Sequence, residues 1–199
     1  MNSTFTNTAR TTAALLAIAA LTQALYTGLA MAGADVPRQV LWGAEALLFS
    51  VMAAFAGSAL AQARSAHLGW AAITAASVLN VVQVGVGLTM FGPFREMANA
   101  IPEAAPAAGA IVSYSFMVYN AAKVLLALAL IVFARARMAT GGKILGGLGL
   151  AVGAIAFIAN TLSMALGRGF TEIPIAGGSG VAATVLLAVC VFTLQADEA

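Results

Sequence analysis

The 199-residue chain is 62% apolar and 8% charged, with a formal net charge of +2 and a mean hydropathy of +0.98. This composition excludes an ordinary soluble domain. The basic residues are scattered, with no run that would suit nucleic acid or a cluster of lipid headgroups, so no nucleic-acid partner is expected.

Six apolar stretches, each long enough to cross a bilayer, take up nearly the whole chain. About 18 or more mostly apolar residues are read as a membrane span, because a helix rises about 1.5 Å per residue across a core about 30 Å thick. The stretches run over about 11–32, 39–62, 68–91, 108–134, 143–166 and 173–195. The sequence therefore predicts an all-α fold: a polytopic integral membrane protein, a bundle of six transmembrane helices forming a single transmembrane domain over residues 1–199.

The first stretch follows Arg10 and is longer than the roughly 7–15 apolar residues of a signal peptide, so we expect it to be a retained helix. Basic residues in short loops favour the cytoplasmic side. With the amino terminus inside, the inner side carries the larger basic set, Arg10, Arg64, Arg135, Arg137 and Lys143, against Arg38, Arg95 and Arg168 outside. We predict a multi-pass protein of the cell membrane with both termini in the cytoplasm.

The longest outer loop, over about 92–107, contains apolar residues at helical spacing. Phe94, Met97 and Ile101 fall on one face, with charged and polar residues on the others. This spacing predicts a short amphipathic helix at the outer interface. Such a helix could close over an outward cavity as a lid, or simply link two spans.

Small residues recur at four-residue spacing in the fifth stretch, where Gly149 and Gly153 form a GxxxG pattern. Small residues at this spacing let helix backbones approach closely in lipid. The pattern predicts tight helix packing and does not by itself indicate a dimer.

Cys190 and His67 are the only residues of their types. A single cysteine excludes an intramolecular disulfide and a multi-thiolate metal site. A single histidine excludes bis-histidine haem ligation and two-histidine metal sites. No metal site is predicted, and the sequence indicates no particular cofactor.

Polar side chains inside the predicted spans recur on one side of each helix, for example Asn80 with Gln83 and Asn120 with Lys123, each pair three residues apart. Most of these side chains fall between the midplane and the outer boundary. Polar groups at this depth are costly and usually mark a functional site. We predict an outward-opening, ligand-binding pocket lined by nine residues: Gln23, Tyr26, Glu45, Asn80, Gln83, Tyr119, Asn120, Lys123 and Asn160.

Glu45 and Lys123 are the only carboxylate and amine well inside the spans. An ion pair between them would lower the cost of burying both charges, provided that the second and fourth helices are neighbours. An acid–base couple, or a Schiff base at Lys123 with Glu45 as counter-ion, is the only reactive chemistry these residues suggest. These residues favour a non-enzymatic protein over an enzyme, and no catalytic residue is assigned.

The leading functional hypothesis is a membrane protein that binds a small polar or amphipathic ligand from the outer side, as a transporter or a substrate-binding membrane subunit. Its partners would be the lipid bilayer, the small molecule and, in the second case, other membrane subunits. The alternative is a non-catalytic structural subunit of a larger membrane complex, in which the polar residues join helices by hydrogen bonds.

Overall fold

The computed structural model describes residues 3–34, 37–167 and 175–194, and every regular element within these ranges is helical. The backbone of a helix satisfies its own hydrogen bonds, which a chain needs where no water is present. The helices are α1 (Ser3–Met31), α2 (Arg38–Gln62), α3 (His67–Ala100), α4 (Ala105–Ala139), α5 (Lys143–Leu166) and α6 (Ile175–Phe192), with a short 3-10 turn at Pro102–Ala104.

The predicted all-α fold is confirmed, and each of these six helices is long and apolar enough to cross a membrane. Helix α4 has the largest buried fraction, because it packs against α3, α5 and α6. Successive helices pack against each other around the bundle, and α1 completes this ring by packing against both α2 and α6. The guanidinium of Arg10 lies 5.9 Å from the ring centroid of Phe192, so the start of α1 meets the end of α6. We call this the terminal end of the bundle, and the opposite end the far end.

Glycines set the close approach of α5 to α4. A Cβ atom at Gly149 would lie 2.8 Å from the Cβ of Ala134, and one at Gly153 would lie 2.9 Å from Ile131 Cγ1. Real Cβ atoms essentially never come this close, so both positions require glycine at the present helix separation. The GxxxG pattern therefore serves packing within this chain.

Aromatic rings fill the core near the terminal end. Trp70 makes edge-to-face contacts with Phe5 and Phe133, at centroid distances of 5.9 and 5.1 Å. All three side chains are buried. A Cβ at Gly69 would lie 2.7 Å from the ring of Phe133, so this glycine provides the space that the ring occupies.

Three helices continue beyond the predicted spans: α1, which begins at Ser3 and not near residue 11, α3 and α4. The third span was placed at 68–91, but α3 continues through Pro93 to Ala100, so the predicted amphipathic helix forms the last turns of α3. Likewise, α4 begins at Ala105 and ends at Ala139. The apolar pattern marks where side chains suit lipid, whereas the backbone hydrogen bonds of a helix do not stop at that limit.

Candidate functional site

Lys123 is buried in the middle of α4, with 1% of its surface exposed. Its Nζ donates a hydrogen bond to the side-chain carbonyl of Gln23 on α1. It donates a second, of 3.4 Å, to Thr184 Oγ1 on α6. The ammonium also lies 5.3 Å from the ring centroid of Tyr119, one turn away on α4. Lys123 thus links α4 to both α1 and α6.

The stem of Lys123 passes over a glycine on α6. A Cβ at Gly180 would lie 3.0 Å from Lys123 Cδ and 3.2 Å from Cγ. The hydroxyl of Thr184, one turn further along α6, receives the ammonium. Gly180 and Thr184 therefore form a single groove that sets the direction of the lysine side chain.

Glu45 on α2 is also buried, and one of its carboxylate oxygens accepts a hydrogen bond of 2.8 Å from Thr22 Oγ1 on α1. The predicted ion pair between Glu45 and Lys123 does not form: both residues are described, and no salt bridge or hydrogen bond joins their side chains. The prediction required α2 and α4 to meet at this depth, whereas α1 supplies one hydrogen-bonding partner to each group.

We call these residues the lysine cluster; its members come from α1, α2, α4 and α6 and are Thr22, Gln23, Glu45, Tyr119, Lys123 and Thr184. The structure thus brings together four of the nine predicted residues. The sequence interpretation missed Thr22, Thr184 and the supporting Gly180. Threonine and glycine are common in membrane helices, so these residues do not stand out in the sequence. The sequence features that could have indicated them are the one-turn spacing of Gly180 and Thr184 and the position of Thr22 beside Gln23.

The three predicted asparagines share one geometry. Asn80, Asn120 and Asn160 each donate the side-chain amide to the backbone carbonyl four residues earlier. Asn160 also donates to the carbonyl of Ala176 on α6, at 3.2 Å. In each case the side-chain oxygen is buried and accepts no hydrogen bond from the described residues.

Asn120 and Asn160 lie at one level of the interface between α4 and α5. Gly153 faces Ala127 and Leu130 across that interface. Because the two helices are antiparallel, Asn160, two turns further along α5, lies level with the turn of α4 that holds Asn120. No hydrogen bond of the described residues joins either asparagine to Lys123.

The remaining two predicted residues make separate contacts. Gln83 on α3 donates to Ser115 Oγ on α4, at 3.3 Å. The ring of Tyr26 lies 5.8 Å from that of Trp42, which packs into a notch at Gly87. The nine predicted residues therefore take part in several separate contacts. Those with charged side chains, Glu45 and Lys123, both belong to the lysine cluster.

A half-open cleft of about 280 Å³ lies between α4 and α5 on the far-end side of Asn120 and Asn160. Its lining comes from the far-end turns of both helices and consists of Ser113, Tyr114, Phe116, Met117, Ser163, Met164 and Gly167. Ser113, Tyr114 and Ser163 contribute hydroxyl groups to it. None of the nine predicted residues lines the cleft.

No family model, curated protein or solved structure matches this chain. Among the described residues, no group of three or more histidine, cysteine, aspartate or glutamate side chains could hold a metal ion.

Proposed function

We propose that the chain binds a small polar or amphipathic ligand from the outer side of a cell membrane, as a transporter or a substrate-binding membrane subunit. The observation that carries this proposal is Lys123, a buried ammonium held by side chains of α1 and α6. A lysine at the centre of a membrane helix costs roughly 2.5–3.5 kcal/mol on insertion scales. Neutral side chains could join the helices without that cost.

The partners of Lys123 leave it able to bind another group. An ammonium has three N–H donors, and the described residues accept two of them, at Gln23 and Thr184. Both acceptors are neutral, so the positive charge has no directly bonded carboxylate. A carboxylate or carbonyl oxygen of a ligand would suit the third donor, while Glu45 would attract a cationic or hydrogen-bond-donating group.

The proposal is tested by thermal unfolding of the detergent-solubilised protein with millimolar acetate, alanine, betaine, methylamine or glycerol. A compound that binds only the folded state raises the melting temperature. We expect an anionic or zwitterionic compound to stabilise the wild type and to lose its effect in Lys123→Met. Lys143→Met is the matched control, because Lys143 is exposed at the start of α5. Equal shifts in both variants would remove the lysine cluster as the site.

The hydrogen bonds that cross between helices favour a second candidate, a structural subunit of a larger membrane complex. Thr22–Glu45, Gln83–Ser115 and Asn160–Ala176 each join two helices. Such bonds stabilise a bundle without a ligand. Under this hypothesis no compound in the series shifts the melting temperature, and Lys123→Met only destabilises the fold.

A further inference from the structure

We infer that the terminal end of the bundle binds the phosphate of an anionic phospholipid, held by Arg10 and Arg137 beside the end of α6. Two guanidiniums from different helices reach consecutive residues there. The site requires the proposed membrane location of the chain, and it is independent of the ligand proposed for the lysine cluster.

Arg10 on α1 and Arg137 on α4 meet the same turn at the end of α6. The Arg10 guanidinium lies 5.9 Å from the ring centroid of Phe192, the last residue of that helix. Arg137 Nη1 donates a hydrogen bond of 3.2 Å to the backbone carbonyl of Thr193. Carbonyls at the carboxyl end of a helix carry a partial negative charge, which favours cations. The end of α6 therefore brings two positive charges from distant parts of the sequence together.

The turn between α4 and α5 also positions Arg137. A Cβ at Gly142 would lie 3.2 Å from Arg137 Nε and 3.1 Å from the Arg137 carbonyl oxygen. The same carbonyl accepts a hydrogen bond of 2.8 Å from the Gly142 amide. The guanidinium is thus held between this turn and the end of α6, so it is already oriented before an anion binds.

The positive charge at this end has no acidic partner among the described residues. Arg10 is exposed, and no hydrogen bond or ion pair joins its guanidinium to any residue that the structure describes. The described carboxylates lie elsewhere, with Glu45 inside the bundle and Glu96 and Glu103 at the far end. Three further cations share the terminal end: Arg64, Arg135 and Lys143. Basic residues that are scattered in the sequence therefore converge on one end of the fold.

The surroundings of Arg10 favour a lipid over a soluble anion. Phe192 ends a helix that is apolar enough to span a membrane, and its side chain is 59% exposed. An exposed guanidinium beside an exposed apolar ring suits a molecule that carries both a phosphate and an acyl chain. Arginine binds phosphate oxygens through paired N–H groups, and basic residues at the ends of membrane spans attract anionic headgroups.

The test is thermal unfolding of the detergent-solubilised protein, titrated with dioctanoyl phosphatidylglycerol or with dioctanoyl phosphatidylcholine. The two lipids share their acyl chains and differ in net charge, and a lipid that binds the folded state raises the melting temperature. We expect half-maximal stabilisation by phosphatidylglycerol at a concentration about tenfold lower than by phosphatidylcholine, or lower still. Arg10→Gln and Arg137→Gln should each reduce this preference by about fivefold.

The matched control is Arg95→Gln, which removes the same charge from an exposed position at the far end and should keep the preference. Each shift is measured from the variant's own melting temperature, so a weakened end of α6 is not counted as lost binding. Because Arg10 is exposed, Arg10→Gln decides the matter if Arg137→Gln does not fold. Inorganic phosphate at the same concentrations should not stabilise the wild type.

The acidic residues that follow α6 in the sequence, Asp197 and Glu198, are the competing anions. Asp197→Asn combined with Glu198→Gln should leave the lipid preference unchanged, and a stronger preference would mean that the chain's own carboxylates occupy the arginines. The inference is also overturned if both lipids stabilise at the same concentration, if inorganic phosphate stabilises as well as phosphatidylglycerol, if Arg10→Gln keeps the full preference, or if Arg95→Gln loses as much.

Discussion

Gly180 on α6 provides the surface on which the side chain of Lys123 lies, because a Cβ there would stand 3.0 Å from the lysine Cδ. The ammonium is fixed further on by Gln23 and Thr184, so the stem has little freedom to move aside. Gly180→Ala should therefore destabilise the bundle by about 1–3 kcal/mol, as expected for added volume in a packed core.

Gly178→Ala is the control for this change, since a Cβ at Gly178 meets nothing within 4 Å. Replacing an unobstructed helical glycine by alanine stabilises a helix by up to about 1 kcal/mol. The two alanine variants should thus move the melting temperature in opposite directions. A stabilised Gly180→Ala protein would show that Lys123 is not held in this groove.

The hydrogen bond between Lys123 and Gln23 predicts strong energetic coupling. Lys123→Met and Gln23→Leu should each be costly, because each strands the partner's polar group in the core. The double variant should lose less than the sum of the single losses, with a coupling of about 0.5–3 kcal/mol in denaturant unfolding. The cycle between Lys123→Met and Glu45→Gln should show a smaller coupling, since no direct bond joins these residues. The reverse ranking would restore the predicted ion pair.

The sequence predicts the six helices because a membrane span leaves a long, nearly uncharged pattern. The ends of α2 and α5 lie within a residue of the prediction, over 39–62 and 143–166. Helices α3 and α4 continue past their predicted spans at the far end, and α1 begins before its span, since helices can extend beyond the apolar residues. Hydropathy reports the surroundings of a helix and not its hydrogen bonding.

The site was predictable only in part, for a related reason. Burial of Glu45 and Lys123 follows from their depth in apolar spans, and the structure buries both. Their hydrogen-bonding partners depend on which helices pack together and in which register, and neither can be read from a single sequence. Thr22 lies beside Gln23, yet one hydrogen-bonds to α2 and the other to α4. Thr22 and Gln23, which are adjacent on α1, thereby take the place of a direct ion pair between Glu45 and Lys123.

The notch at Gly87 on α3 should be as restrictive as the groove at Gly180. A Cβ there would lie 2.7 Å from Trp42 Cζ3, and the indole also contacts Phe91 at a centroid distance of 5.7 Å. Gly87→Ala should lower stability by about 1–3 kcal/mol. Gly85→Ala, two residues earlier with nothing within 4 Å, should not. A red-shifted tryptophan emission confined to Gly87→Ala would report the displaced indole.

The predicted orientation is testable with an impermeant thiol reagent on intact cells. Ser3→Cys lies at the terminal end, Glu103→Cys lies in the turn between α3 and α4, and the native Cys190 is buried. Basic residues favour a cytoplasmic terminal end. We expect labelling at position 103 in intact cells, and at position 3 only after the membrane is permeabilised. Labelling at position 3 alone would reverse the orientation and put the cleft on the cytoplasmic side.

Asn80 and Asn160 allow the stability contribution of a hydrogen bond within one helix to be compared with that of a hydrogen bond between helices. Asn80 donates only to Ala76 within its own helix, and its side-chain oxygen accepts nothing from the described residues. Asn80→Leu removes a buried, unsatisfied acceptor and keeps the volume, so stability should be unchanged or should rise. Asn160→Leu also breaks the bond to Ala176 on α6. It should cost about 0.6 kcal/mol, and at most about 1.7, which are typical values for interhelical bonds in membranes. Melting temperatures of the two variants, measured side by side in one detergent, decide the matter. Equal losses would mean that the contact to Ala176 contributes nothing, whereas a larger loss for Asn80→Leu would show that its oxygen has a partner that stabilises the fold.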